Sequence, residues 1–111
     1  MLFAIVRNLE QPPGYQILCK LAEQNHVQIT GNEHTGSFSG PVVKGDYEFG
    51  KEGLHGTFAA YGVAGEFSFE TGKVTVTVIE KPFWLPEALL KQKITEGLDE
   101  FCDKRAQWWS A

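Results

Sequence analysis

Three histidines, two cysteines and a scatter of carboxylates are the residues of this 111-residue chain that have chemistry to offer. His26, His34 and His55 come first, because imidazole titrates near neutrality and ligates divalent metals. No pair stands at HxH or HxxxH spacing and no CxxC occurs, so no one element presents two ligands, and the histidines read as polar surface residues with no metal site. Asp46 and Glu48 share one side of an alternating segment, with Glu66 and Glu70 on later ones. If those segments were neighbours in a sheet, two carboxyls could approach and raise one pKa, as acid/base work on a sugar or a water requires. The alternative is a solvated sheet face kept soluble by Glu, Ser and Thr. Ser37, Ser39 and Ser68 fall in the same alternating runs, no GxSxG is present, and Cys19 and Cys102 have no evident His partner. The glycine-rich GKEGLHG of Gly50 to Gly56 matches neither GxxxxGK[ST] nor GxGxxG before a helix, and reads as a hairpin. Neither a catalytic set nor a cofactor is expected.

Aromatic residues are the compositional signal, at 13% with eight Phe, three Tyr and three Trp. The formal net charge is −4, from fourteen acids against ten bases, and only Lys81, Lys91 and Lys93 group together. Nucleic-acid binding needs a basic surface and is disfavoured. After Met1 the apolar run Leu2 to Val6 is too short for a signal peptide or a transmembrane helix, so neither is expected. Cys19 and Cys102 each sit in an apolar helical pattern. They are expected as buried thiols in a reducing, cytoplasmic compartment, with a Cys19–Cys102 bridge as the alternative.

The elements that must position these residues follow from periodicity. Leu2 to Arg7 reads as a strand buried on both faces, ended by Pro12-Pro13-Gly14. Ile17, Leu18, Leu21 and Ala22 predict a short amphipathic helix from about Pro13 to Gln24. From His26 onward the period is two, with runs at Val27 to Ile29, Gly36 to Gly40, Gly45 to Phe49, Leu54 to Ala60, Gly65 to Phe69 and Lys73 to Ile79. Phe38, Tyr47, Phe49, Leu54, Phe58, Phe67, Phe69, Val74, Val76 and Val78 form one apolar face, opposite Ser, Thr, Asp and Glu. Leu90, Ile94, Leu98, Phe101 and Cys102 then mark a long helix from Pro86 to Trp108 covering the sheet, with an overhanging last turn. Gly97 on its flank suggests a close approach to the sheet. Residues 1–111 thus read as a single α+β domain: an antiparallel meander of about five to seven strands with a short N-terminal and a long C-terminal helix on one face.

From Gly45 to Phe101, successive strands, a V-x-V-x-V strand and then KPFWLPEALLKQKITEGLDEF resemble the small bacterial polyhydroxyalkanoic acid system family. The resemblance implies a granule-associated accessory protein, and no catalytic residues are carried over from it.

Two populations of aromatics suggest binding. Phe83 or Trp84 is expected to staple onto Leu89 or Leu90 at the start of the long helix. Trp84, Trp108 and Trp109, at the ends of that helix, are candidate interface residues for a homodimer or a protein partner. The leading reading is a small bacterial, non-enzymatic binding or accessory protein. The alternative is a helix-grip-like pocket for a small apolar ligand, with weak enzyme activity conceivable, lined by Phe58, Phe67, Phe69 and Val76, with Tyr47, His55 or Tyr61 as its polar handle.

Overall fold

The structure is a computed structural model that describes residues 2–9, 14–51 and 53–103, the last three by backbone only. Its elements in order are β1 (Phe3–Leu9), α1 (Tyr15–Gln24), β2 (Gln28–Gly31), β3 (Thr35–Ser39), β4 (Val43–Gly50), β5 (Gly53–Ala60), β6 (Val63–Glu70), β7 (Gly72–Glu80) and α2 (Glu87–Asp103). The seven strands form one sheet in the order β1-β7-β6-β5-β4-β3-β2, antiparallel throughout. Strands β2 to β7 are a meander, and β1 closes back beside β7. This is the α+β arrangement expected from the alternation. No helix among the described residues is long and apolar enough to cross a membrane.

Register explains how one face becomes the core. Phe38, Gly45, Phe58, Gly65, Val78 and Phe3 lie in one cross-strand row. Gly36, Tyr47, Gly56, Phe67, Val76 and Ile5 lie in the next. From β3 to β6 rings and glycines therefore alternate along both rows, and Phe38, Tyr47, Phe58 and Phe67 each lie over a glycine of the adjoining strand, an arrangement that fills the glycine's missing side-chain volume. A methyl on Gly56 would stand 2.8 Å from Phe67 Cζ and would collide with the Asp46 carbonyl. A methyl on Gly65 would stand 2.8 Å from Phe58 Cζ and would meet the Thr77 carbonyl. Neighbouring backbone occupies the space above these glycines, as it must where a sheet bends sharply toward its covered face. The register shift at Ala64/Gly65 adds a bulge to that bend.

Helix α2 covers one end of this face. Leu90, Ile94 and Leu98 pack with Phe3, Ile5, Leu9, Val63, Val74 and Val78. Lys91 Nζ lies 5.2 Å from the Phe3 ring centroid and Arg7 Nε donates to Asp99 Oδ1 at 2.8 Å. Eight helical residues rise about 12 Å and four strand residues about 13 Å, so α2 tracks β1 in the same direction. Strand β1 buries only one face, with Phe3, Ile5 and Leu9 inside and Ala4, Val6 and Asn8 outside, which corrects the expectation of a doubly buried strand. The reason is topological: β1 is an edge strand with helices on one side of the sheet only. Gly97 is also corrected, for it is exposed with nothing within 4 Å of a Cβ placed there.

Turn chemistry divides the ends of the sheet. Helix α1 ends in a Schellman motif: His26 takes φ 58°, its N–H donates to the Glu23 carbonyl, and Val27 N–H donates to the Ala22 carbonyl at 2.8 Å. Between β5 and β6, Tyr61 (φ 55°) and Gly62 (φ 79°) make a two-residue turn of the primed type, whose first position ordinarily takes Asn, Asp or Gly. A tyrosine held there costs about 1 kcal/mol in backbone strain.

Gly56→Ala should lower stability by about 1–3 kcal/mol through overpacking, and Gly97→Ala should raise it by up to about 1 kcal/mol. Urea unfolding followed by circular dichroism measures both. A neutral Gly56→Ala would show that the ring-over-glycine contact is slack.

Candidate functional site

The two helices share the inner face unequally and leave a groove between α1 and the sheet. Leu18, Leu21 and Ala22 of α1 form one wall. Val27 and Ile29 close the β2 side, and Phe38, Val43, Leu54, Phe58, Phe67, Phe69 and Val76 make the floor across β3 to β7. Its volume is about 340 Å³, toward the lower end of the roughly 300–1,000 Å³ of small-molecule sites. Asn25 is the single polar lining residue among those described, and its side-chain amide donates to the Leu21 carbonyl at 2.8 Å. Among the described residues, no charged side chain lines the groove. The floor owes its shape to the ring and glycine rows, with Phe67 stacked edgewise on Phe69 (ring centroids 6.0 Å) and tilted on Phe38 (6.2 Å).

Of the residues expected to bind a ligand, Phe58, Phe67 and Phe69 stand together on this floor, with Val76 beside them. The three polar handles do not join them. Tyr47 is 1% exposed and packs under the start of α1, with ring centroids 5.8 Å from Phe49 and 6.5 Å from Tyr15. Its hydroxyl donates to the Asn32 carbonyl at 2.8 Å, which anchors the β2–β3 turn. His55 points from the opposite face, because it is one residue out of phase with Leu54 and Gly56. Tyr61 is 73% exposed at its hairpin tip. The residue with polar atoms at the groove is Asn25, which helical spacing on α1 leaves at the rim and which the apolar pattern gave no reason to single out.

The other candidates for chemistry are also dispersed. Asp46 and Glu66 are separated by Thr57 of β5, so their strands lie about 9–10 Å apart rather than side by side. Glu48, His55 and Ser68 do fall in register on three adjacent strands, a row that periodicity alone could not align. His55 Nε2 is 4.0 Å from Glu48 Oε1, while the Ser68 hydroxyl donates to Glu70 Oε1 at 3.0 Å and so is turned from the imidazole. His34 sits at the β2–β3 turn, where Asn32 Oδ1 accepts from the His34 and Thr35 backbone N–H groups. No group of three or more His, Cys, Asp or Glu among the described residues could hold a metal ion.

Phe83 and Trp84 are 95% and 67% exposed, and Leu89 is exposed too, so neither aromatic staples the helix. Leu85 packs on the core in their place, held by Lys81, whose ammonium donates to the Leu85 carbonyl at 2.8 Å. Cys19 is half-buried rather than buried. Trp108, Trp109 and the overhang of the last turn lie outside the described residues, as does the Cys102 side chain.

Beneath α1, Tyr15, Cys19 and Tyr47 form a small cluster. The Tyr15 phenol is raised above its ordinary value of 10.0, first by hydrogen bonding with Cys19 and then by desolvation. Tyr47 is raised chiefly by burial, with Cys19 adding to it. A phenol raised in the folded state keeps its proton longer than in the unfolded chain, so its contribution to stability is full below pH 10.0 and is lost as pH rises beyond that. Tyr47→Phe should therefore cost about 1 kcal/mol at neutral pH through the lost Asn32 bond. The gap to wild type should narrow above pH 10.0. Urea titrations at neutral and alkaline pH check this, and a gap that widened with pH would contradict the assignment.

Compared with known protein families, curated proteins and solved structures, the chain finds no match, so the groove is read on its own geometry.

Proposed function

We propose that this protein is a binding protein for a small apolar ligand, which lies between α1 and the sheet on the floor of Phe58, Phe67 and Phe69. The observation that carries the reading is the groove itself: about 340 Å³ lined by aliphatic and aromatic side chains, with Asn25 alone among the described residues supplying side-chain polarity. Apolar surface of this concave kind gains free energy when a hydrocarbon replaces water on it, at roughly 25 cal/mol per Å². A charged ligand is disfavoured, because the described lining offers no partner for a desolvated ion. An uncharged molecule with one polar end fits best, with its hydrocarbon on the phenylalanine floor and its polar end at the Asn25 rim.

The sheet and α2 form the supporting frame. The core between α2, β1 and β7 holds the far side of the floor in place, and the Schellman turn fixes the Val27 corner of the groove.

The neutral dye N-phenylnaphthylamine should brighten on binding and saturate. A long-chain alcohol should displace it more strongly than the fatty acid of the same length. Val43→Phe, which fills the groove from β4 with a residue suited to a strand, should weaken dye binding by about tenfold or more while leaving the circular dichroism spectrum intact. Dye affinity unchanged by Val43→Phe, or no uptake by the wild type, would sink the proposal.

A further inference from the structure

Asn25 ends helix α1, and chemistry fixes how its amide is turned. The Leu21 carbonyl can only accept, so the atom 2.8 Å from it is the amide nitrogen Nδ2. That bond takes one of the two Nδ2 hydrogens. Among the described residues the Asn25 side chain makes no other hydrogen bond, so its second N–H and the acceptor Oδ1 stay open at the groove rim. Every other described lining residue is apolar.

The groove also has an axis. Tyr15, at the start of α1, lies with its ring centroid 6.5 Å from Tyr47 and 6.3 Å from Phe49. Val27, just beyond the end of α1, lies against Gly40, whose N–H donates to the Val43 carbonyl. Helix α1 therefore runs opposite to β4, with Asn25 at the Val43 end. From Val43 to Phe49, which faces Leu54, β4 advances six residues, about 20 Å. A cavity of about 150 Å³ holds one benzene, so the groove's volume of about 340 Å³ takes roughly fourteen non-hydrogen atoms. Spread over that length, the volume suits one chain rather than two or a block of fused rings.

We infer that the ligand is a single unbranched chain of about thirteen carbons ending in a hydroxyl, and that Asn25 selects that end group. This deepens the reading of the groove as a ligand site and rests on it. One hydroxyl oxygen accepts from Nδ2 and donates to Oδ1, which satisfies both open positions with one atom. A ketone, ether or ester only accepts, and leaves Oδ1 partly stripped of water with no donor. A carboxylate brings a charge and sets its own oxygens against Oδ1. The tail lies along α1 on Phe58 and Phe67 toward Leu54 and Phe69, where the described side chains are all hydrocarbon.

The test is displacement of N-phenylnaphthylamine by two sets of ligands. Along the straight-chain primary alcohols from octanol to hexadecanol, affinity should rise about fourfold per methylene and level off at about thirteen carbons, once added methylenes reach water. Decyl methyl ketone and the alcohol made by reducing it share one skeleton and differ in whether the oxygen can donate. The alcohol should bind the wild type about fivefold more tightly. In Asn25→Ala that preference should vanish, and in Asn25→Asp, whose carboxylate accepts but does not donate, it should grow. Each preference is a ratio within one protein, so partial unfolding lowers both affinities alike and leaves it unmoved. An Asn25 that serves only the Leu21 carbonyl would give the same ratio in all three proteins, and that result overturns the inference. Affinity still climbing at hexadecanol, or flat beyond octanol, overturns the chain length and the inference with it. Dye uptake that neither set displaces removes this inference and keeps the groove reading, while no dye uptake at all removes both.

Discussion

The contact on which the rest of this structure depends is the placement of an aromatic ring over a glycine on the next strand. Phe58 over Gly65 and Phe67 over Gly56 remove the side chains that would otherwise hold adjacent backbones apart, and put ring area in their place. The sheet can then bend toward the face that carries its hydrophobic residues. A flat sheet with ordinary side chains at those glycines would present a level face for helices to cover fully. The bend turns that face into a trough whose floor is aromatic.

Two helices of different length cannot cover such a trough evenly. Helix α2, tied to β1 by Leu90, Ile94 and Leu98 and by Arg7 to Asp99, completes the core over β1 and β7. Most of the stabilisation lies in the apolar contact, for an exposed ion pair contributes about 0–1 kcal/mol. Helix α1 has ten residues and is fixed at both ends, by Tyr15 against Tyr47 and Phe49 and by the turn at His26. Between these anchors it stands over the sheet without filling the space beneath it. The groove is the consequence of a bent floor, a short helix and small or aliphatic residues on that helix.

Much of this was legible from spacing. The alternation from Val27 to Ile79 is regular enough to give the strands, their apolar face and their order in the meander. It also brought Phe58, Phe67, Phe69 and Val76 to one face, because period two leaves no other choice. The polar partners were not legible. Tyr47 shares the parity of the floor, yet it lies under Tyr15 because α1 happens to start above it. His55 has the opposite parity, and Tyr61 sits in a turn where parity has no meaning. The staple at Phe83 or Trp84 failed for a similar reason, since Leu85, not an aromatic, reaches the core when α2 lies along β1.

By itself, the sequence determined the class of fold and the inner and outer faces of the meander strands, both properties of neighbouring residues within a strand, while the one-sided burial of β1 was not among them. Tertiary structure alone decided that rings face glycines across strands, that Glu48, His55 and Ser68 align on the outer face, and that the exposed aromatics of two separate turns, Tyr61 in one and Phe83 and Trp84 in the other, gather at one end. These depend on register and on which ends of the strands come together. Both are set by pairing between segments far apart in the chain, and hydrophobic period within any one segment carries no record of its partner's phase.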